Sequence, residues 1–131
     1  MKPKKSKKQR PYVTVTFSLT PESCRALSNA LIFLLNLDGF SFEAAKISLD
    51  SADQAENKLF DNECTLTRGE VRATSTAIDV VLERFPGHQK EFSYMDDEIE
   101  YLVNDLERDL PILVQLQPIF RTAVSDLKKM K

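Results

Sequence analysis

The residues best suited to chemistry are carboxylates, and they crowd into one stretch. Asp96, Asp97, Glu98 and Glu100 lie close together, and Asp105 and Asp109 come shortly after. Asp96 with Glu100, and Asp105 with Asp109, stand four apart and so share a helix face. Acids at that spacing hold a metal only with His or Cys among them, or on a glycine-turned calcium loop. Neither pattern occurs, so no metal site and no cofactor are expected. His88 is the sole histidine and sits beside Pro86-Gly87, with no nucleophile motif near it. There is no phosphate loop, dinucleotide fingerprint or nucleophile elbow. The chain is therefore expected not to be an enzyme. Asp96, Asp97, Glu98 and Glu100 are read as acids in a first helical turn, favoured there by the helix dipole. They form a candidate surface for a protein partner.

The remaining candidates are basic. Residues 2 to 10 carry Lys2, Lys4, Lys5, Lys7, Lys8 and Arg10 and no acid. These six of the 18 basic residues leave 12 against 20 acidic residues elsewhere, a net of −8 outside the segment. A basic tail on an acidic body is a real asymmetry, and Lys4, Lys5, Lys7, Lys8 and Arg10 are candidate phosphate contacts. Residues 1 to 11 are expected to be a disordered basic tail, with Pro3 and Pro11 and nothing to bury. No apolar run comes directly after it, so it is not read as a secretory signal. The longest apolar run, Ala30 to Leu35, is far short of the ~20 residues that span a bilayer. Cys24 and Cys64 are too few for a disulfide framework. They are read as small buried apolar residues in a reducing, cytoplasmic setting, with pairing to each other as the alternative.

The elements that must position these residues are mainly helical. Of 131 residues 42% are hydrophobic and 29% charged, as in a globular domain, and three Gly with no Trp argue against an all-β fold. Residues 12 to 131 are read as one helical domain. Tyr12 to Leu19 alternates, with Val13, Val15, Phe17 and Leu19 facing one way and Thr14, Thr16 and Ser18 the other, which predicts a half-buried strand. Thr20-Pro21-Glu22 opens a helix to about Leu37, stopped by Gly39. Its end, Leu31 to Leu37, is apolar around more than half the circumference, so it is either central or meets a partner. Ser41 caps a second helix of about 18 residues, breakable at Asp50-Ser51. A short β-like Cys64-Thr65-Leu66 precedes the capping box Thr67-Arg68-Gly69-Glu70, and the third helix ends at Phe85. Ser93 caps a fourth, with Met95, Ile99, Leu102, Leu106 and Leu110 inside. Pro111 and Pro118 are expected to interrupt the C-terminal part of the chain.

The chain also repeats itself. Residues 17 to 35 align on residues 64 to 82 at an offset of 47, with seven identities in 19 positions. The matched residues are Leu19/Leu66, Thr20/Thr67, Arg25/Arg72, Ala26/Ala73, Ser28/Ser75, Ala30/Ala77 and Leu35/Leu82. A period of this size marks a helical hairpin repeat, here residues 17 to 63 and 64 to 110. The expected fold is mainly α: a helical bundle from a duplicated helical hairpin, with one N-terminal strand and extra C-terminal helices. A lone strand would leave its ladder unpaired, so either the segment before the second repeat or another copy of the chain must pair with it.

The order of strand, Thr-Pro-Glu helix start, helix, glycine turn and second helix in VTVTFSLTPESCRAL…LDGFSFEAAKISL resembles the ribbon-helix-helix family of DNA-binding proteins. The resemblance covers roughly residues 12 to 60, and on the repeat reading it extends to 110 as a tandem, self-paired unit. It implies an antiparallel ribbon whose outward residues, Thr14, Thr16 and Ser18, enter the major groove. The chain departs from the family in a longer first helix, a shorter second strand, a longer helix–helix loop at Pro86 to Phe92 and an acidic body. Tyr94-Met95-Asp96-Asp97 resembles the catalytic tetrapeptide of reverse transcriptases, which needs a β-hairpin and a third carboxylate to hold two metals. Here it opens an amphipathic helix in a chain too short for a polymerase palm. Two functions therefore stand. One is a regulatory protein acting through protein–protein contacts or self-association. The other is a DNA-binding protein. Neither involves a membrane.

Overall fold

The fold is given by a computed structural model, which describes residues 13–37, 39–86 and 101–129. The elements are β1 (Thr14–Thr16), α1 (Pro21–Leu35), α2 (Phe42–Ala45), α3 (Leu49–Phe60), β2 (Thr65–Thr67), α4 (Arg68–Arg84) and α5 (Tyr101–Lys129). The protein is mainly helical, as the sequence predicts, and the expected N-terminal strand belongs to one small two-stranded antiparallel sheet.

The helix starts are set by their hydroxyls. Thr20 Oγ1 accepts the Ser23 N–H at 3.1 Å and Pro21 fills the first helical position. Ser41 caps α2 and Ser48 caps α3. Thr67 and Glu70 form the predicted capping box: Glu70 N–H donates to Thr67 Oγ1, and Thr67 N–H donates to Glu70 Oε1 at 2.9 Å. Glu70 Oε1 also accepts from Lys58 Nζ at 2.8 Å, which fastens the end of α3 to the start of α4.

Several boundaries differ from expectation. The first helix stops at Asn36, before Gly39, because Asn36 Nδ2 donates to the Ile32 carbonyl at 2.8 Å and so caps the last turn itself. The expected 18-residue helix breaks at Lys46 and not at Asp50-Ser51. Lys46 adopts the left-handed conformation (φ 62°), and Ser48 restarts the chain as a fresh cap. Pro111 and Pro118 do not interrupt α5, which runs through both. Both prolines are exposed, as are Glu107 and Val114, whose carbonyls lose their helical donors. Water can serve those carbonyls, while the opposite face is held by packing. The expected Ser93 cap, Met95 and Ile99 lie outside the described residues, as does the tail. Leu102 and Leu106 from the same pattern are fully buried.

α1 and α4 touch each other, and each also contacts α3 and α5. The core forms between them. Leu27, Leu31, Phe33 and Leu34 of α1 are fully buried with Leu59, Ile78, Val81, Leu113 and Phe120. Each such Leu, Ile or Phe contributes about 1.5–3 kcal/mol relative to exposure. The apolar end of α1 is therefore central, and the surface it offered to a partner is taken up by the core. Small residues line both α1 and α4: Ala26, Ala30, Ala73 and Ala77 are all fully buried.

The strand finds its partner within the chain. β1 pairs antiparallel with β2 in the register Thr14–Thr67, Val15–Leu66 and Thr16–Thr65. The ladder is shorter than the eight residues of alternation, for a local reason. Beyond Phe17 the opposing residues would be Asn62 and Glu63. Asn62 is in the left-handed conformation, and the Glu63 N–H closes the end of α3 on the Lys58 carbonyl at 2.8 Å. Those groups are spent on capping a helix, so the pairing ends at the Phe17 N–H to Cys64 carbonyl bond of 3.0 Å.

Candidate ribbon interface

The period of two decides the faces of the ribbon. Leu66 is fully buried and Val15 half-buried, both turned toward the helices. Thr14 and Thr16 therefore point away, and both are exposed. Across from Thr16, Thr65 contributes a hydroxyl, and the two Oγ1 atoms are hydrogen-bonded at 2.8 Å. Each hydroxyl retains further bonding capacity for an outside group. Ser18 is exposed but lies past the paired segment. Of the three predicted strand residues, two stand on the outward face and the third flanks it. Thr65 was absent from the expected set. Its signal was the short β-like segment itself, which puts Thr65 and Thr67 on one face and Leu66 on the other.

The other sequence candidates fall elsewhere. Lys4, Lys5, Lys7, Lys8 and Arg10 lie outside the described residues, as do Asp96, Asp97, Glu98 and Glu100. Asp105 and Asp109 do not form a solvated acidic strip. Asp109 is buried, and Arg108 grips it with Nε on Oδ1 at 3.0 Å and Nη2 on Oδ2 at 3.2 Å, while also reaching Asp105 at 3.4 Å. This forked pairing neutralises the acids within the helix. Among the described residues no group of three or more His, Cys, Asp or Glu could hold a metal. No described helix is long and apolar enough to cross a membrane.

Beneath the ribbon the two cysteines meet. Cys24 is buried in α1, Cys64 is half-buried just before β2, and the sulfurs are 3.5 Å apart. Burial, with the hydrogen bond to Cys64, pushes the Cys24 thiol up to about 11. A second feature is an open cleft of about 260 Å³ between α4, α5 and the end of α2. Arg72, Arg121 and Lys128 line it with Ser75, Thr76 and Asp79. Asp79 accepts from Gln117 Nε2 at 2.8 Å and pairs with Arg121 at 3.3 Å, so the cleft keeps an excess of positive charge on an otherwise acidic body.

No family model, curated protein or solved structure matches the chain. Its function is therefore read from the arrangement of these side chains.

Proposed function

We propose that the chain is a non-enzymatic binding protein that lays its ribbon and the basic segment before it on nucleic acid. One observation carries the reading. β1 is paired by β2 of the same chain, which leaves Thr14, Thr16 and Thr65 facing outward from a ribbon whose inner face is sealed by Val15 and Leu66. The major groove admits a two-stranded ribbon, and threonine can hydrogen-bond base edges or meet a thymine methyl. The Lys-rich segment runs into β1 and would supply the phosphate contacts that the acidic body cannot.

On this reading residues 17 to 63 and 64 to 110 are two copies of one helical unit, with β1 just ahead of the first copy and β2 at the start of the second. One chain then provides what two chains provide in the ribbon-helix-helix family. The ribbon's register supports it. Continued by one residue it sets Phe17 opposite Cys64, the two residues that the 47-residue offset equates. An antiparallel pair has a local two-fold axis between opposed residues, and of the ladder about Phe17 and Cys64 only the half made by Thr14–Thr16 with Thr65–Thr67 is formed. Thr20 and Thr67 cap equivalent helices about that axis, and Ala26/Ala73 and Ala30/Ala77 are buried in both.

The test is duplex-DNA affinity across a salt series for the full chain and for a variant lacking residues 2–10. Counterion release gives a slope of about −0.9 per phosphate neutralised, so removing six charges should flatten it by up to about five. An unchanged slope would overturn the tail's role. A second reading, contact with a protein partner or another copy, draws on Val114 and Ile119 of α5, 57% and 50% exposed. Under it, Val114→Glu with Ile119→Glu abolishes self-association or partner capture and leaves DNA affinity unchanged.

A further inference from the structure

Cys24 and Cys64 are separated by 40 residues, yet the fold brings their sulfurs to 3.5 Å. The equivalent of Cys24 at the 47-residue offset is Val71, which fills the matching place in α4 with an ordinary apolar side chain. The environments of the two thiols differ in the way a sequential oxidation needs. Cys24 is 1% exposed, whereas Cys64 is half-exposed at the mouth of β2. Its sulfur also donates toward the Asn62 carbonyl at 3.7 Å. Both thiols are free.

We propose that Cys24 and Cys64 form an oxidative modification site, closed by peroxides into an intramolecular disulfide that fastens α1 to β2 beneath the ribbon. Cys64, the reachable thiol, reacts first as its thiolate. Its sulfur attacks one peroxide oxygen, the O–O bond breaks, and water leaves after protonation, giving a sulfenic acid. The Cys24 sulfur, already in contact, then attacks the Cys64 sulfur as its own proton departs. The S–O bond breaks and a second water leaves. Two thiols and one hydrogen peroxide thus give one disulfide and two waters. Closing from 3.5 Å to a bond of about 2.05 Å takes about 1.5 Å of movement, shared between two side chains.

Formation of the bond has a defined mechanical consequence. Cys64 stands opposite Phe17, where the Phe17 N–H holds its carbonyl. A covalent tie at that point fixes the closed end of the ribbon to the first turns of α1. The inference does not rest on the nucleic-acid reading, because its readout is chemical.

The experiment treats the folded full-length chain with a small excess of hydrogen peroxide, denatures it without reductant and measures mass and free thiols. The expected result is a monomer lighter by two hydrogens with no free thiol, restored by dithiothreitol. In Cys64→Ser, Cys24 should stay reduced under the same dose. In Cys24→Ala, Cys64 should advance to sulfinic acid or remain trappable as sulfenic acid. Two free thiols in the treated protein, a disulfide-linked dimer, or sulfinic acid at Cys64 with Cys24 untouched would each overturn the proposal.

Discussion

The ring of Phe17 stacks on that of Phe120, with centroids 4.3 Å apart and planes 11° from parallel. Phe17 comes just after β1 and Phe120 sits in the middle of α5, so this contact ties the ribbon to the C-terminal helix. Phe120 is fully buried, and Phe120→Ala should cost about 3–5 kcal/mol in chemical denaturation. The double-mutant cycle with Phe17→Ala should return a coupling of about 0.5–1.5 kcal/mol. Strict additivity would mean that the rings do not stack in solution.

Glu70 does two jobs with one carboxylate oxygen, taking the Thr67 N–H and the Lys58 ammonium. Glu70→Ala removes both and leaves an orphan helix donor, at a cost of about 2–3 kcal/mol. Glu70→Gln keeps an acceptor for the cap and should recover roughly half of that. Equal losses for the two variants would place the whole effect in the ion pair.

Asn29 offers the opposite case. Its Nδ2 is buried with no hydrogen-bond partner among the described residues. Asn29→Ala removes an unpaired polar group and raises helix propensity, so stability should change by less than about 1 kcal/mol or increase. Leu31→Ala, two residues on in the same helix and fully buried, should cost about 2–5 kcal/mol. A large loss at Asn29 would reveal a bonding role for that amide.

Stability should fall in alkali in part through one buried thiol. Cys24 rises from the usual 9.0 to about 11 because it is buried beside Cys64. Its folded value thus exceeds its unfolded one. Between pH 9.0 and about 11 the unfolded chain loses the proton first, and stability declines as pH rises. Its contribution is fully present below pH 9.0. Cys24→Ala should flatten the decline over that window relative to the parent, read as denaturation midpoints at matched pH. Parallel curves would contradict the assignment.

Much of the fold is legible in local chemistry. Thr20, Ser41 and Thr67 act as caps because a hydroxyl ahead of helix formers satisfies backbone donors within a few residues. Local chemistry misleads where a distant partner decides. Alternation through Leu19 predicts a long strand, but Asn62 and Glu63 close α3 and leave nothing for residues beyond Phe17 to pair with. Pro111 and Pro118 have the look of breaks, yet α4 and α1 hold the opposite face of α5 in place. Asn36 caps a helix that Gly39 was expected to end, because a side-chain amide reaches its own last turn. In the candidate site, Thr14 and Thr16 are readable from the period of two. For Thr65 the period gives the face but not the partner strand, and the approach of Cys64 to Cys24 depends likewise on how the segment after α3 returns to the ribbon. The same holds for Asp109, whose helical spacing suggests solvent and whose burial comes from α5 packing on the core.

The most direct test of a ribbon completed within one chain is light scattering at low and high salt, with and without a short DNA duplex. Intramolecular pairing of β1 with β2 predicts the mass of one chain alone at both salt concentrations. At low salt it predicts a complex with the duplex, which Thr14→Ala with Thr16→Ala weakens. A chain that is dimeric alone and never gains the mass of the duplex would contradict both.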